Sequence, residues 1–397
     1  MTGTETLSIA NGMGEVDRKE WDALASRYYT PFFTWGFLAL LEDSLSIAPE
    51  TGWTPFHFLL HREDASSRRR LIAAAPFYAK MHSMGEFVFD FEFARLAEEL
   101  KTTYYPKLIG MIPATPVPLW RVLIAKGEDE AEIEHFIMSQ ASKIAKQSKF
   151  GGFHLPWYGS SRAPPENFRR WDHSSFLWTD TAYGDFDGYL ASFSKNMRRN
   201  VLRERASVKE AGVECRIVGV KEASENLNLL SRMADFYELT NDQFGPWGAK
   251  FLTRDFFLRL GEYLSDGWFL SAGFRGTEPI GLALLFEDKQ SIYGRYWGAS
   301  EKVDGLHFEL CYYLPIEYAL SKGIGRFDPG MGSEHKARRG FRSVLAPSYH
   351  LAFDERLARA FEYYLPLMNA EEEKYAEALN KELPFKKSPS LEPTPMP

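Results

Sequence analysis

The densest cluster of reactive side chains lies between residues 326 and 341, where the chain reads RFDPGMGSEHKARRGF. This segment follows a predicted strand, and polar, glycine-rich backbone at the end of a strand is where α/β proteins hold reactive groups. Lys336 is suited to stabilise a developing oxyanion or to bind a phosphate. Asp328, Glu334 and His335 are suited to accept a proton from an attacking amine. A solvated, charged turn would have the same composition, so the sequence leaves that alternative open.

A second cluster, IYGRYWGASEKVDGLHFELCYY, combines aromatic and charged residues with glycines. In the strand predicted at 291–298, Tyr293, Arg295 and Trp297 share one face, because side chains alternate along a strand. Two glycines leave the other face open to a ligand or to a backbone. This pattern predicts a pocket wall.

The helix predicted at 307–321 carries His307 and Glu309. Residues two positions apart do not face each other on a helix, so a metal site made from this pair is disfavoured. We interpret His307 as a candidate binding residue and Glu309 as a candidate proton acceptor. A helix start and a satisfied polar group are the structural alternatives.

The segment SKNMRRNVLRER places Lys195, Arg199 and Arg203 on one helical face, at i, i+4 and i+8. Such a stripe is typical of a surface that binds phosphate groups. A solvated helix face with an apolar opposite side is equally compatible with the pattern.

The first half contains a further polar cluster in HSMGEFVFD and YYPKLIGMIPATP. Alternating residues predict a strand at 86–92, in which Glu86 and Asp90 point to one face. Four strand residues separate them by roughly 13 Å, too far for a close acid/base pair unless something bridges them. We interpret Glu86 and Asp90, together with His82 and Lys107, as recognising a polar or cationic group of a substrate. A hydrated sheet face is the alternative.

The overall composition is that of a soluble globular protein. The chain has 397 residues, of which 45% are hydrophobic and 25% charged, and this excludes global disorder. A net charge of −7 argues against a surface that binds nucleic acid or anionic membrane as a whole, so contact with RNA or phosphate must be local. Two cysteines, no leader sequence and no long apolar run predict a cytoplasmic protein without a disulfide framework or a membrane span.

Several common catalytic motifs do not occur in the sequence. It contains no GxxxxGK[ST], HExxH or GxSxG, so nucleotide hydrolysis, zinc proteolysis and serine hydrolysis lose their usual signatures. GIGRF matches only in part the turn by which typical acetyltransferases hold the pyrophosphate of acetyl-CoA.

The length predicts two domains, because single cores tend to split beyond about 250 to 300 residues. We expect an N-terminal domain at 1–170, a C-terminal domain at 171–383 and a disordered, proline-rich tail at 384–397. An offset of 208 residues aligns 71–90 with 279–298, and each copy reads strand, turn, strand. This weak repeat favours two like halves with a ligand cleft between them.

These segments, in this order, resemble the FemAB-like, or peptidoglycan-biosynthesis-like, branch of the GNAT acyltransferase superfamily. The resemblance runs from about Pro31 to Phe361 and is carried by HSMGEFVFD, YYPKL, SKNMRRNVLRER, GRYWG, LHFELCYY and GSEHKARRGF. It implies an α+β fold of tandem GNAT-like domains, each a mixed, mostly antiparallel sheet flanked by helices, facing a shared cleft. It also implies an acyltransferase that moves an acyl or aminoacyl group to an amine, such as that of a peptide or a peptidoglycan precursor.

The resemblance also implies co-substrates and residue roles. The acyl donor, aminoacyl-tRNA or acyl-CoA, is a co-substrate, no cofactor or metal is tightly bound, and tRNA would bind through a local basic groove. Lys336 matches the family lysine that helps bind the donor or support the transition state. An acyl-CoA-dependent N-acyltransferase and a non-catalytic protein that binds a peptide or cell-wall fragment are the alternatives. The candidate residues are, for catalysis, Lys336, Glu334, His335 and Glu309 and, for substrate binding, His82, Glu86, Asp90, Lys107, Arg199, Arg203, Tyr293, Arg295, Trp297, His307, Asp328 and Arg338.

Overall fold

The structure, a computed structural model, describes residues 4–63, 67, 69–165, 167–245, 248–332 and 334–386. The described residues form two compact units, one of 4–174 with 345–374 and the other of 175–344 with 375–386. The units differ from the predicted domains mainly at 345–374. That stretch belongs to the first unit because residues 349–352 pair there with the strand at 152–155.

Two sheets build the first unit. Their strands are β1 (Thr4–Ala10), β2 (Trp53–Pro55), β3 (His57–Glu63), β4 (Arg69–Ala75), β5 (Phe77–Lys80), β6 (Lys107–Gly110), β7 (Leu123–Ile124) and β8 (Gly152–Leu155). One sheet has the antiparallel order β1, β3, β4, β7. The other has the order β2, β5, β6, β8 and ends on residues 345–352. Among the described strands of this sheet, only β6 and β8 pair in parallel, so the sheet is mixed and mostly antiparallel.

Among the described residues, four α-helices belong wholly to the first unit: α1 (Arg18–Ala25), α2 (Trp35–Asp43), α3 (Phe91–Glu99) and α4 (Glu130–Gln147). Side-chain oxygens cap three of them, as Asp17, Thr34 and Asp129 each accept a backbone N–H three residues ahead. Such caps satisfy amide groups that have no partner inside the helix. In α4, Ile133, Ile137 and Ala141 are buried at helical spacing, which is the apolar face that the sequence presents.

One mixed sheet forms the centre of the second unit. Its strands are the end of β9 (Arg169–Thr179), then β10 (Glu214–Gly219), β11 (Trp268–Arg275), β12 (Glu278–Glu287), β13 (Ser291–Ala299) and β14 (Arg326–Asp328). The order is β10, β11, β12, β13, β14, β9, and within the part of the chain that the structure describes only β13 and β14 of this sheet pair in parallel. The last strand, β15 (Arg342–Ala352), begins in this unit and ends in the first.

Most helices lie in the second unit. They are α5 (Phe186–Ser192), α6 (Lys195–Glu210), α7 (Val220–Glu225), α8 (Leu227–Asp242), α9 (Arg254–Leu258), α10 (Leu260–Tyr263), α11 (Leu306–Phe308), α12 (Leu314–Lys322) and the end of α13 (Glu355–Lys381). A π-helical segment, Glu309–Tyr313, joins α11 to α12, and a 3-10 helix spans Glu334–Arg339. The predicted fold class, α+β with mostly antiparallel mixed sheets flanked by helices, is confirmed. Within the described residues, no helix is both long and apolar enough to cross a bilayer.

The strand predicted at 86–92 is wrong. Residues 81–90 form a loop, and α3 begins at Phe91. Gly85 and Phe87 have φ angles of 82° and 57°, which a strand does not permit. The alternation is also inverted, since Val88 is buried and Phe89 is 65% exposed. The sequence analysis further missed β1 and β9 as strands.

The predicted disordered tail begins too early. Pro384 O accepts the N–H of Ser194 at 2.7 Å, and the Phe385 ring lies 5.3 Å from the ring of Phe193. The rest of the predicted tail, 387–397, lies outside the described residues.

We expect Phe385→Ala to lower the free energy of unfolding by about 1–3 kcal/mol, because the ring fills space beside Phe193 and Gly340. Phe244→Ala is the matched control. Phe244 is 60% exposed, so its loss should cost within about 0.5 kcal/mol. Denaturant unfolding of the full chain measures both, and equal small effects would contradict the packing of Phe385.

Candidate active site

Lys336 is held inside the second unit by the turn that precedes its helix. Its side chain is 3% exposed, and its Nζ donates to Gly330 O at 2.8 Å and to Met331 O at 2.7 Å. The turn requires glycine, since Gly330 and Gly332 have φ angles of 81° and 79°. We call residues 329–332 the lysine turn. The two bonds and the Cε atom occupy three tetrahedral positions at Nζ, which leaves a single position for an N–H or a lone pair.

The surroundings of Lys336 disfavour its protonated, charged form. Burial lowers the pKa of Lys336 to about 8, against the attraction of Asp328 and with help from the repulsion of Arg295. Its Nζ also lies 5.5 Å from the centroid of the Phe176 ring. Both acceptors of its hydrogen bonds are neutral carbonyls, so they satisfy donors without balancing a full charge. The amine is therefore poised between its two protonation states near neutral pH.

Asp328 shapes the lysine turn. One carboxylate oxygen accepts the N–H of Gly330 at 2.8 Å and lies 3.4 Å from Nη1 of Arg295. The predicted common face of Tyr293, Arg295 and Trp297 is interrupted, because the pairing of β13 with β12 shifts register at Arg295. Tyr293 donates instead to Asp288 at 2.7 Å.

The two glycines of β13 lie on opposite faces because of the same register shift, and both pack against protein rather than leaving a face open to a ligand. A Cβ atom at Gly298 would lie 2.0 Å from the carbonyl oxygen of Phe236 in α8. A Cβ atom at Gly294 would touch Phe327 and Pro329. Protein atoms, including the Phe236 carbonyl beside Gly298, therefore make the close approach that these glycines were expected to allow.

An aromatic cluster surrounds the two histidines of the predicted site. Nε2 of His335 lies 3.0 Å from the Tyr312 hydroxyl, and the rings of His335 and His307 are 5.6 Å apart. The Trp297 ring lies 4.5 Å from that of His307. Burial lowers the pKa of His335 to about 4 and that of His307 to about 3, and nearby cations act in the same direction. Both histidines are neutral at pH 7.

The two candidate glutamates lie in different environments. Glu309 is buried at the start of the π-helical segment and pairs with Arg205 at 2.9 and 3.0 Å. Burial raises the pKa of Glu309, and Arg205 opposes that shift. Glu334 is exposed and accepts the Tyr375 hydroxyl at 3.2 Å. Glu309 is occupied by its arginine, so we leave it out of the chemistry proposed below.

Arg339 is a site residue that the sequence analysis missed. It donates to Tyr313 Oη and His335 O at 3.0 Å, and its Nη2 binds both carboxylate oxygens of Glu204. Its guanidinium also lies 3.3 Å from the centroid of the Phe308 ring. Arg338, the neighbour predicted to bind substrate, is exposed. No local pattern separates the two arginines, because the carboxylate that pairs with Arg339 belongs to Glu204, which is distant in the sequence.

The predicted basic stripe lies on the exposed side of α6. Lys195, Arg199 and Arg203 all face water. Each arginine donates to an asparagine three residues earlier, Arg199 to Asn196 at 3.0 Å and Arg203 to Asn200 at 3.3 Å. An amide oxygen orients a guanidinium without neutralising it, so the charge stays available to an anion.

In the first unit, Lys107 bridges the two carboxylates that the sequence placed far apart. Its Nζ lies 2.8 Å from Glu86 and 2.6 Å from Asp90, and it also donates to Ser83 Oγ at 2.8 Å. The interpretation of Glu86 and Asp90 as a pair about 13 Å apart on a strand is therefore wrong, and the cation between them is the protein's own. The loop brings them together because it leaves the extended conformation at Gly85 and Phe87.

Lys80 is a second buried lysine that the sequence analysis missed. It pairs with Lys107 across β5 and β6, and both residues are 0% exposed. Its Nζ donates to Met84 O at 2.9 Å, lies 3.3 Å from Nδ1 of His82 and sits 3.8 Å from the centroid of the Trp53 ring. Its place at the end of an apolar strand was the available signal.

Ionisation in this first-unit cluster is strongly perturbed. Burial raises the pKa of Glu86 to about 7, against the attraction of Lys107. Burial lowers the pKa of Lys80 to about 7, against the attraction of Glu86. Burial opposes the charge on Lys107, but Asp90 and Glu86 outweigh it and raise the pKa of that lysine. Among the described residues, no group of three His, Cys, Asp or Glu side chains is placed to hold a metal ion.

With this geometry established, the chain matches a protein-family model over most of its length. The model described as peptidoglycan biosynthesis/recognition, FemAB-like, matches residues 12–387. The chain belongs to the FemAB-like family. No curated protein matches this FemAB-like chain.

Several solved structures are similar to this FemAB-like chain at low sequence identity. The C-terminal domain of an Agrobacterium fabrum protein described as a lysylphosphatidylglycerol synthetase is 12% identical, with a TM-score of 0.50, over 91% of this chain and 97% of that chain. FemX is 13% identical, with a TM-score of 0.48, over 87% and 98%. A tandem GNAT protein from the clavulanic acid biosynthesis pathway is 11% identical, with a TM-score of 0.43, over 88% and 98%.

We expect Lys80 and Glu86 to give the stability of the first unit a minimum near pH 7. The stabilising contribution of Glu86 is complete below its ordinary pKa of 4.5 and is lost as pH rises through about 7. That of Lys80 is complete above its ordinary pKa of 10.5 and is lost as pH falls to about 7. Denaturant unfolding from about pH 5 to about pH 9 measures the curve.

Two variants separate the acid and the alkaline parts of the dependence of the unfolding free energy on pH. The difference in unfolding free energy between the parent and Glu86→Gln should vary only on the acid side, and the difference for Lys80→Met only on the alkaline side. A difference that is independent of pH for both variants would contradict the assignment.

Proposed function

We propose that this FemAB-like protein is an acyltransferase that passes an acyl group to an amine at the lysine turn of its second unit. Aminoacyl-tRNA is the proposed donor, and a peptide or peptidoglycan precursor is the proposed acceptor. One observation carries the proposal: Lys336 is buried and its Nζ is fixed by two carbonyl oxygens, so that one position at the nitrogen remains for substrate.

The chemistry needs no covalent intermediate on the enzyme. The acceptor amine attacks the carbonyl carbon of the donor ester, a C–N bond forms, and the carbonyl π electrons move to oxygen. The remaining N–H of protonated Lys336 donates to that oxyanion. The C–O bond to the donor then breaks, the amine nitrogen loses its proton, and the leaving oxygen gains one. A preorganised donor of this kind costs no reorganisation at the moment of reaction.

His335 is our candidate to relay the amine proton. It precedes Lys336 directly, and it is neutral at pH 7 because burial lowers its pKa to about 4. The Tyr312 hydroxyl at 3.0 Å gives the ring a fixed partner. Since so weak a base holds a proton only briefly, the leaving oxygen is the final acceptor.

The stripe on α6 is our candidate for binding the phosphates of the donor. Arg199 and Arg203 are one helical turn apart, about 6 Å along the axis. The acid in this stretch of the helix, Glu204, is engaged by Arg339 and does not cancel the stripe.

We expect Lys336→Met to lower kcat by about 10²–10³-fold, because it removes a donor to the oxyanion. The measurement is transfer from aminoacyl-tRNA, and separately from acetyl-CoA, to an amine acceptor. Lys302→Met, at an exposed lysine of the same unit, should keep the parent rate.

The pH profile tests the same role. Lys336 donates only when protonated, so parent activity should fall as pH rises above about 8. Lys336→Arg should lose that alkaline fall, since a guanidinium stays charged. Unchanged turnover in Lys336→Met would overturn the proposal, and binding of a peptide ligand with no transfer from either donor would favour the non-catalytic alternative.

We expect the double variant Arg199→Gln, Arg203→Gln to weaken tRNA binding and to reduce the slope of log K against log salt by about 2. Filter binding between about 50 and 200 mM salt measures the slope. Arg216→Gln with Arg275→Gln is the matched control, because both arginines are exposed and already paired with glutamates. A parental slope in the first variant would contradict the assignment of the stripe, and stabilisation by CoA but not by tRNA would favour the acyl-CoA donor.

A further inference from the structure

Two lysines form a buried cationic floor on the second sheet of the first unit. Lys80 and Lys107 are direct partners on antiparallel β5 and β6, and neither is exposed. Like charges directly opposite each other destabilise a sheet, so this arrangement needs anions above it. We call the pair the lysine floor.

The anions come from the loop at 81–90, which we call the strap. It contacts the lysine floor through the carbonyl of Met84, the hydroxyl of Ser83 and the carboxylates of Glu86 and Asp90. At each carboxylate only one oxygen has a hydrogen-bond partner among the described residues. Glu86 Oε1 and Asp90 Oδ1 are buried without one. A buried polar network that is only partly satisfied holds its parts less firmly than a complete one.

The strap also carries strain and an apolar outer surface. Phe87 has a φ angle of 57°, a conformation that is costly for a bulky residue. Met81, Met84 and Phe89 are 55%, 41% and 65% exposed. The strap is also held by Val88, which is buried in an apolar cluster, and by the Glu86 carbonyl, which accepts the Trp157 Nε1–H at 2.7 Å. Its carboxylates, in contrast, are directed at Lys107.

The two carboxylates differ in the number of partners that hold them in the closed strap. Asp90 also accepts the Tyr104 hydroxyl at 2.6 Å and directly precedes α3. Glu86 has Lys107 as its ion-pair partner and lies in the middle of the strap. Since burial raises the pKa of Glu86 to about 7, its charged form gains little from the closed state. Glu86 is the group that an incoming anion would displace.

We propose that the lysine floor is a binding site for the phosphate or carboxylate group of a ligand, and that the strap occupies it with Glu86 when no ligand is present. An entering anion takes the place of the Glu86 carboxylate at Lys107 and accepts from Lys80. Residues 81–87 then move outward, which breaks the bond from Trp157 to the Glu86 carbonyl, while Val88 stays in the apolar cluster and Asp90 stays on Lys107. This site lies in the first unit, and it does not depend on acyl transfer at the lysine turn.

Hydrogen–deuterium exchange of the full chain tests the site. The probes are inorganic phosphate, pyrophosphate and succinate, each compared with chloride at equal ionic strength. We expect a saturable increase of exchange at 81–90 in the parent. Glu86→Gln should saturate at about tenfold lower anion concentration, because the internal competitor has lost its charge. Glu92→Gln, an exposed carboxylate beside the strap, should match the parent.

The outcomes distinguish a phosphorylated ligand from a carboxylate ligand, and some of them would contradict the proposed site. A response to phosphate and pyrophosphate alone assigns a phosphorylated ligand, and a response to succinate as well extends the site to carboxylates. Lys80→Met should lose the response, and if it fails to fold, the comparison of Glu86→Gln with Glu92→Gln decides. No change at 81–90 with any probe, the same half-saturation in Glu86→Gln as in the parent, or a response only at 195–209 would each overturn the proposal.

Discussion

Burying an ammonium group without its water is the constraint on which both polar clusters depend. The protein meets it in two chemically different ways. Lys336 receives two neutral carbonyl oxygens, which satisfy its N–H groups but leave its charge poorly balanced, so its pKa falls to about 8. Lys107 receives two carboxylates, which outweigh the effect of burial and raise its pKa. Oxygen acceptors alone therefore do not fix the charge of a buried lysine; the charge of the acceptor decides it. The first arrangement keeps a lysine able to respond to a reacting oxygen, and the second keeps a permanent cation.

The same constraint explains why α6 is divided between two tasks. Arg339, from the helix that carries Lys336, is buried and needs an anion, and Glu204 of α6 supplies it. The next residue of α6, Arg205, turns to the buried carboxylate of Glu309 in the π-helical segment. Breaking either pair would leave an uncompensated buried charge, which is strongly destabilising. Because these pairs anchor one side of α6, its other side can hold Arg199 and Arg203 in water without a local carboxylate. The basic stripe and the lysine turn are thus supported by one helix.

Periodicity and local motifs were sufficient for much of the second unit. The strand predicted at 291–298 and the helix predicted at 307–321 follow from the period of their apolar residues, and the structure has β13 at the first position and α11, the π-helical segment and α12 at the second. The lysine turn was also found in the sequence, since glycines after a short strand mark a polar turn whatever surrounds it. The sequence did not show whether Arg338 or Arg339 is buried, because that depends on the position of Glu204. The bulge at Arg295 was also hidden, since an added residue leaves no trace in alternation over so short a strand. In the first unit, the error at 86–92 arose because Phe residues at alternate positions are typical of a half-buried strand. In the structure the acidic residues between these Phe residues are buried instead, because they pair with Lys107.

The offset of 208 residues that suggested a repeat shows where the two units diverge. In the second unit, the segment after β12 turns back as β13 and pairs along nearly its full length. In the first unit, the segment that aligns with β13 leaves the sheet after β5, and β5 pairs with β6 instead. Because β2 and β6 already pair with β5 on its two sides, no position beside β5 is left for a further strand. The segment passes instead over the lysine side chains as the strap, which places the Met84 carbonyl on Lys80 and the carboxylates of Glu86 and Asp90 on Lys107. Carboxylates on side chains can be exchanged for another anion, whereas the backbone hydrogen bonds of a sheet cannot, so the strap gives this face of the first unit a charged cover that a ligand can displace.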